Sequence, residues 1–436
     1  MKRKLLDRGR RAAMLLAGLL FFTGIAGGDE MVWSAGANIV YLSETSVVMT
    51  PATTKKLQLI GALSGVKWSS SNKKAAVVNK KGKVTAKAKG VTRIKAVYKK
   101  KEYICNVVVR YMTYTTSDGI RYKDTSGSFG RTGRWFQKNI AGGKYYFTST
   151  DGSAIYFKVT GSKYVDVKFL SNTAVSVPYF AYSVDGGKMK RQSISNGKIS
   201  VGNTKTHYVR LLIDAISEYE DRWIGEAGVA VKSIKPVTKE GVVTAIKPQN
   251  DIIAFYGDSI TKGVRALNME LTPSGTSAVH SYAWYCAQKL KMVPYYAGYG
   301  GSGIFETGSF QKCYDVIEKF SAGRKADKFN ADVVVVLHGT NDVYTYGDIY
   351  VSEYQKVLNL LHSKFPKAKI MAVIPFNQIH ADEIRAAAAS CSKWCSVVET
   401  SSWNLTYTDG MHPNAKGSEK AGKNLAKIIS SKRKKK

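Results

Sequence analysis

A chain of 436 residues is longer than one ordinary domain, so two or three are expected. Its 44% hydrophobic and 22% charged residues lie near globular averages, which excludes a mainly disordered or fibrous protein. The 66 Lys and Arg against 32 Asp and Glu give a net charge of +34, an extreme that favours contact with polyanions.

At the amino end, Lys2, Arg3, Lys4, Arg8, Arg10 and Arg11 precede an apolar run over 12–25. This pattern predicts a secretory signal peptide over 1–37, with Ala35-Gly36-Ala37 as an A-x-A cleavage site and an earlier cut as the alternative. A retained membrane anchor is the competing reading, but the run is short for a spanning helix and no second spanning segment follows. Arg10-Arg11 hints at twin-arginine export, although its flanks fit general secretion better. The expected location is therefore secreted or on a bacterial cell surface.

From about 40 to 110 short runs alternate apolar and polar residues between Gly, Ser and Asn, which predicts a small all-β domain over 38–110. Leu57-Gln58-Leu59, Val84-Thr85-Ala86 and residues 103–109 are the clearest strands. Trp68-Ser69-Ser70-Ser71-Asn72, Ala76-Val77-Val78, Gly82-Lys83-Val84-Thr85-Ala86 and Gly90-Val91-Thr92 resemble the group 2 bacterial Ig-like repeat of surface proteins. No Asp or Glu occurs between Glu44 and Glu102, while Lys recurs throughout. An anionic cell-wall polymer is thus an expected partner of this domain, against the alternative of a merely solvated lysine face. No nucleic-acid partner is expected.

Residues 111–240 carry period-two strands such as Ala154-Ile155-Tyr156-Phe157-Lys158-Val159 and Tyr208-Val209-Arg210-Leu211-Leu212-Ile213, which predict a β-sandwich. Asp185-Gly186-Gly187 supplies a turn. Residues 130–135, Tyr182-Ser183-Val184-Asp185-Gly186 and His207-Tyr208-Val209-Arg210-Leu211 resemble the jelly-roll domain that precedes the catalytic domain of carbohydrate esterase family 2. A linker of about a dozen residues, 238–250, is expected before the next domain.

After Pro248 the pattern becomes α/β, with buried strand runs at 252–256, 333–337 and 370–374 between helical stretches. Tyr354, Val357, Leu358, Leu361 and Phe365 share a helix face that Pro366 ends, and a last helix is expected from about 414 to 429, followed by a basic tail over 432–436. The domain is expected to span 250–431.

Four segments here carry chemistry. Gly257-Asp258-Ser259-Ile260-Thr261 places a serine hydroxyl at the end of the first strand, where open α/β sheets bind ligands. Such a hydroxyl needs a base to become a nucleophile. Asp409-Gly410-Met411-His412-Pro413 supplies an imidazole with a carboxylate to orient it, so Ser259, Asp409 and His412 form the expected triad. The run 297–303 offers a backbone N–H at Gly301, or at Gly300 if the register shifts by one, and His338-Gly339-Thr340-Asn341-Asp342 offers the Asn341 amide. With the N–H of Ser259 these are the expected oxyanion donors.

In this order the four segments resemble the Ser, Gly, Asn and His blocks of the SGNH/GDSL hydrolases, over about 251–429. That resemblance implies a flavodoxin-like fold, no metal and no organic cofactor. The G-x-S-x-G elbow of the α/β-hydrolases is absent. Asp258 is read as a helix cap, His338 as packing or substrate contact, His280 and His380 as surface or supporting residues, and the loop 267–278 as one wall of the cleft. The five cysteines, at 105, 286, 313, 391 and 395, are read as buried free thiols, too sparse for a disulfide framework or a zinc site.

The resemblances together imply a secreted esterase that removes O-acetyl groups from a polysaccharide such as xylan or mannan. A peptidoglycan O-acetyl esterase or a GDSL lipase is the rival enzyme, and a non-catalytic surface adhesin the rival non-enzyme. No apolar insertion resembling a lipase lid stands between the blocks, which favours short acyl groups.

Overall fold

The computed structural model describes residues 39–125, 127–305 and 311–433. The expected signal peptide and residues 434–436 lie outside the described residues. The chain is multidomain, with β-rich Ig-like and jelly-roll regions followed by a domain of parallel sheet and helices.

In the first region the strands Gly90–Tyr98 and Lys101–Val109 pair antiparallel, Ser46–Met49 joins in parallel with the second, and Lys67–Ser70 joins antiparallel to the first. A second sheet holds Thr54–Lys56, Lys83–Ala86 and Ala76–Val78. Period-two alternation turns Ile94, Ala96, Cys105, Val107 and Val109 into the core and leaves Arg93 outside.

The jelly-roll region packs an eight-stranded sheet on a five-stranded one. Val209, Leu211 and Ile213 of one sheet meet Val165, Val167 and Val229 of the other in a single apolar core. The expected linker is largely strand: Val242–Pro248 pairs antiparallel with both Arg121–Asp124 and Ala154–Thr160, in the middle of the larger sheet. The chain therefore passes from a central sandwich strand to the first strand of the next sheet through only a few residues.

The last region has five parallel strands, β1 (Ile252–Gly257), β2 (Val293–Gly298), β3 (Val333–Leu337), β4 (Lys369–Val373) and β5 (Cys395–Val398), in the order 2-1-3-4-5. Helices α1 (Ser259–Lys262), α2 (Tyr282–Leu290), α3 (Cys313–Glu318), α4 (Gly347–Lys364), α5 (Ala381–Ala389) and α6 (Ala415–Arg433) connect or close them. The all-valine run of β3 is buried on both faces because α4 covers one side and α2 with α6 the other. Tyr350, Tyr354, Val357, Leu358 and Leu361 form the buried stripe of α4, which ends at Lys364 ahead of Pro366. Helix α6 runs a turn beyond the expected end: Lys432 and Arg433, read as tail, are helical. Cations suit a helix carboxyl end, and the Arg433 guanidinium pairs with Asp251 at 2.5 Å.

Sandwich and α/β region share an apolar core in which Ile120, Tyr122, Tyr156, Leu212 and Ile246 pack on Val279 and Trp284. All five cysteines are buried and free.

Candidate active site

In a sheet of order 2-1-3-4-5 the strand order reverses between β1 and β3, and the crevice outside their carboxyl ends is the natural ligand site. Ser259 stands there directly after β1, as the first residue of the one-turn helix α1. The turn is fixed by Asp258, whose carboxylate accepts the Ile260 N–H at 2.9 Å, so Asp258 does cap the helix. The Ser259 carbonyl accepts the N–H groups of Gly263 and Val264, both at 3.0 Å.

Asp409 and His412 lie in the loop between β5 and α6, a tight turn in which the Asp409 carboxylate accepts the N–H groups of Met411 at 3.0 Å and His412 at 2.7 Å. The other carboxylate oxygen is 2.8 Å from His412 Nδ1, and His412 Nε2 is 2.8 Å from Ser259 Oγ. A carboxylate only accepts, so Nδ1 carries the proton and the serine hydroxyl donates to Nε2. The structure thus brings Ser259, His412 and Asp409, residues from opposite ends of the domain, into one hydrogen-bonded line.

A fourth partner was not anticipated. Arg265, three residues beyond α1, donates from Nη1 to the same Asp409 oxygen at 2.6 Å, and its own carbonyl accepts the Thr408 hydroxyl at 2.6 Å. Burial alone would raise the Asp409 carboxyl, but the backbone N–H of His412, the Arg265 guanidinium, the His412 ring and the Met411 N–H outweigh it and hold the group well below the usual carboxylate range. Asp409 therefore stays ionised beside the imidazole.

The glycine run follows β2 and the Asn341 segment follows β3, at the same edge of the sheet. Gly301 takes a φ of 70°, and next to it the Ser302 carbonyl accepts the Asn341 amide at 2.9 Å, with His338 Nδ1 at 3.3 Å from the same oxygen. The Asp342 carboxylate accepts the N–H groups of Ile304 at 2.9 Å and Phe305 at 2.8 Å. One N–H of Asn341 is thus used to hold the glycine loop, and a primary amide carries a second. His338 is buried and pulled down to about 4 by that burial, which makes it a neutral packing group with a loop-holding bond.

His380 is no surface residue: it is buried and stacked on Tyr350 with ring centroids 3.8 Å apart. His280 is half-buried, its ring 2.9 Å from the Ser277 hydroxyl. The loop 267–278 is tied to the sandwich, its Pro273 and Thr276 carbonyls accepting from Arg191 at 2.9 and 2.8 Å. Among the described residues no three His, Cys, Asp or Glu side chains gather as metal ligands.

Residues 255–420 match the GDSL-like Lipase/Acylhydrolase family. The chain carries a GDSL-like acylhydrolase domain. It is an ester hydrolase, and residues 38–106 match the bacterial Ig-like domain of group 2. A comparison with curated proteins finds no match. Solved structures share the fold of sandwich plus α/β domain. A family two carbohydrate esterase from Clostridium thermocellum, in complex with cellohexaose, is 19% identical with a TM-score of 0.58, over 70% of this chain and 99% of that one. An acetyl xylan esterase from the rumen bacterium Butyrivibrio proteoclasticus is 20% identical with a TM-score of 0.54, over 74% and 98%. A family two carbohydrate esterase from Cellvibrio japonicus is 15% identical with a TM-score of 0.58, over the same shares.

Proposed function

We propose that this GDSL-like domain is a secreted serine esterase that removes O-acetyl groups from an extracellular polysaccharide of the xylan or mannan type. The observation that carries the reading is the hydrogen-bonded line Ser259–His412–Asp409 at the switch point of the sheet. In this mechanism Ser259 Oγ attacks the acetyl carbonyl as His412 Nε2 takes its proton, with Asp409 stabilising the imidazolium. The oxyanion is met by the N–H groups of Ser259 and Gly301 and by the second N–H of Asn341. His412 returns the proton to the departing sugar hydroxyl, and water then hydrolyses the acetyl-enzyme with His412 again as base.

Support for a sugar substrate comes from the jelly-roll sandwich seated against the α/β domain, the arrangement shared with esterases whose described substrates and ligands are carbohydrates. Acetate release from acetylated xylan, mannan, chitin and peptidoglycan, measured side by side, tests this. Release from xylan or mannan is expected, release from peptidoglycan alone would favour the wall-esterase reading, and preference for long acyl chains would favour a lipase. Ser259→Ala should abolish release at unchanged fold, a loss of several orders of magnitude. Retained activity in that variant would remove Ser259 from its role.

A further inference from the structure

The last residue of α1, Lys262, is completely buried one turn from Ser259, and all its ammonium partners belong to the sandwich. Its Nζ donates to the Ile216 carbonyl at 2.7 Å and to the Glu218 carboxylate, and lies 3.2 Å from the Asp151 carboxylate. Arg222 balances the charge, donating to Glu218 at 3.2 Å, while Asp151 accepts the Ile216 N–H at 2.9 Å. Two cations and two carboxylates thus form a closed, neutral cluster across the domain boundary.

Glu218 also reaches the second catalytic loop. Its carboxylate is pressed so closely on Gly300 that a Cβ there would come within 1.8 Å of Oε2. One sandwich side chain therefore touches the glycine loop and, through Lys262, the helix that carries Ser259.

Adhesion of the two domains does not need this cluster. They are joined elsewhere by the apolar core around Tyr156 and Trp284, by Arg134 Nη1 donating to the Val316 carbonyl at 2.9 Å, and by Glu226 pairing with Arg324 at 2.6 Å. Buried charges add little net stability relative to apolar replacements, because desolvation offsets their attraction. What an ammonium hydrogen-bonded to the Ile216 carbonyl and to Glu218, with the Asp151 carboxylate beside it, does provide is position.

We propose that Glu218 and Asp151 of the sandwich are positioning residues for the nucleophile, clamping Lys262 so that α1 holds Ser259 in line with His412 and the glycine loop. This rests on Ser259 being the nucleophile. Its consequence is that the sandwich takes part in the hydrolysis of even a small ester that never touches its surface.

The test uses the full chain and a chromogenic acetate ester, with kcat, KM and melting temperature measured for Glu218→Gln, for the charge-balanced double variant Lys262→Met/Glu218→Gln, and for Glu226→Gln as an interface control. Glu218→Gln is expected to lower kcat about 10²-fold, the scale of an ångström-sized misplacement, with KM changed less than about twofold. The double variant, which leaves Asp151 with Arg222, should fold and stay equally slow, and Glu226→Gln should lose melting temperature at unchanged kcat. Wild-type kcat in either cluster variant, or an equal loss of kcat in the control, would overturn the proposal and leave the cluster a mere bolt. Ser259→Ala run alongside separates the two readings: if it is inactive while Glu218→Gln is wild-type, only the positioning role fails.

Discussion

Asp258 precedes the serine hydroxyl with its carboxylate wholly buried, and burial pushes it up to about 7. A carboxyl raised above its unfolded value of about 3.9 gives stability that is present below that pH and lost as pH rises toward the folded value. Asp258→Asn keeps an acceptor for the Ile260 N–H yet never ionises. Its melting temperature should gain on the wild type progressively between about pH 4 and about pH 7. Asp151, raised by burial to about 6, acts in the same direction in both proteins, and His338, lowered to about 4, acts oppositely between about pH 6.5 and about pH 4. The readout is therefore the difference between the two curves, and parallel curves would refute the argument. A neighbouring residue serves the chemistry instead: Asn341→Ala should reduce kcat by roughly 10²- to 10³-fold with little change in KM, and wild-type kinetics would mean that another donor faces the oxyanion. The candidates Ser259, Asp409, His412 and Asn341 were legible because each is a reactive type in a short motif, after a strand for Ser259 and Asn341 and ahead of the last helix for Asp409 and His412. Lys262, Arg265, Glu218 and Asp151 were not, since a lysine after a serine or a glutamate in a turn reads as solvated until folding joins segments far apart in sequence.

Among the elements, the turn after Thr148 decides how the sandwich meets the α/β sheet. Gly152 there has a φ of 81°, and a Cβ would come 2.1 Å from the ring of Tyr296 on β2. Tyr296 is buried in the core beneath α2, so the ring has nowhere to retreat. Gly152→Val should therefore combine backbone strain with a clash and destabilise the chain by about 3 kcal/mol or more, seen as a lowered denaturant midpoint. An unchanged midpoint would mean that the turn does not bear on β2 as described. Most elements follow from pattern: period two marks the sandwich strands, and unbroken apolar runs mark β1, β3 and β4. Val242–Pro248 escaped because it opens after Gly241 and ends on Pro248, which read as punctuation. Its place between two distant strands is a tertiary fact that local propensity does not carry.

At the scale of the whole molecule, the Ig-like domain is rich in lysine and poor in acidic residues. Lys73 and Lys74 project from the turn that follows Asn72, and the Lys87 and Ala88 N–H groups bond to the Ala75 carbonyl at 2.7 and 3.3 Å. That contact brings Lys87 and Lys89 to the same end of the domain, and all four lysines are exposed. No carboxylate stands between Glu44 and Glu102 in the sequence, and among the described residues none of the four lysines forms an ion pair. Such a patch should retain a polyphosphate-type wall polymer such as teichoic acid, and should do so through screened attraction, since the Debye length is about 8 Å at physiological ionic strength and about 30 Å at 0.01 M. Retention of the full chain on an immobilised anionic polymer is expected to be strong at low salt and to fall steeply toward physiological salt. Exchange of Lys73, Lys74, Lys87 and Lys89 for Gln should weaken it at every salt concentration, while kcat and KM on a small acetate stay as in the wild type, because the patch lies on a different domain from Ser259. Retention that ignores both salt and the four substitutions would return these lysines to the role of a solvated face and leave the high net charge without a partner.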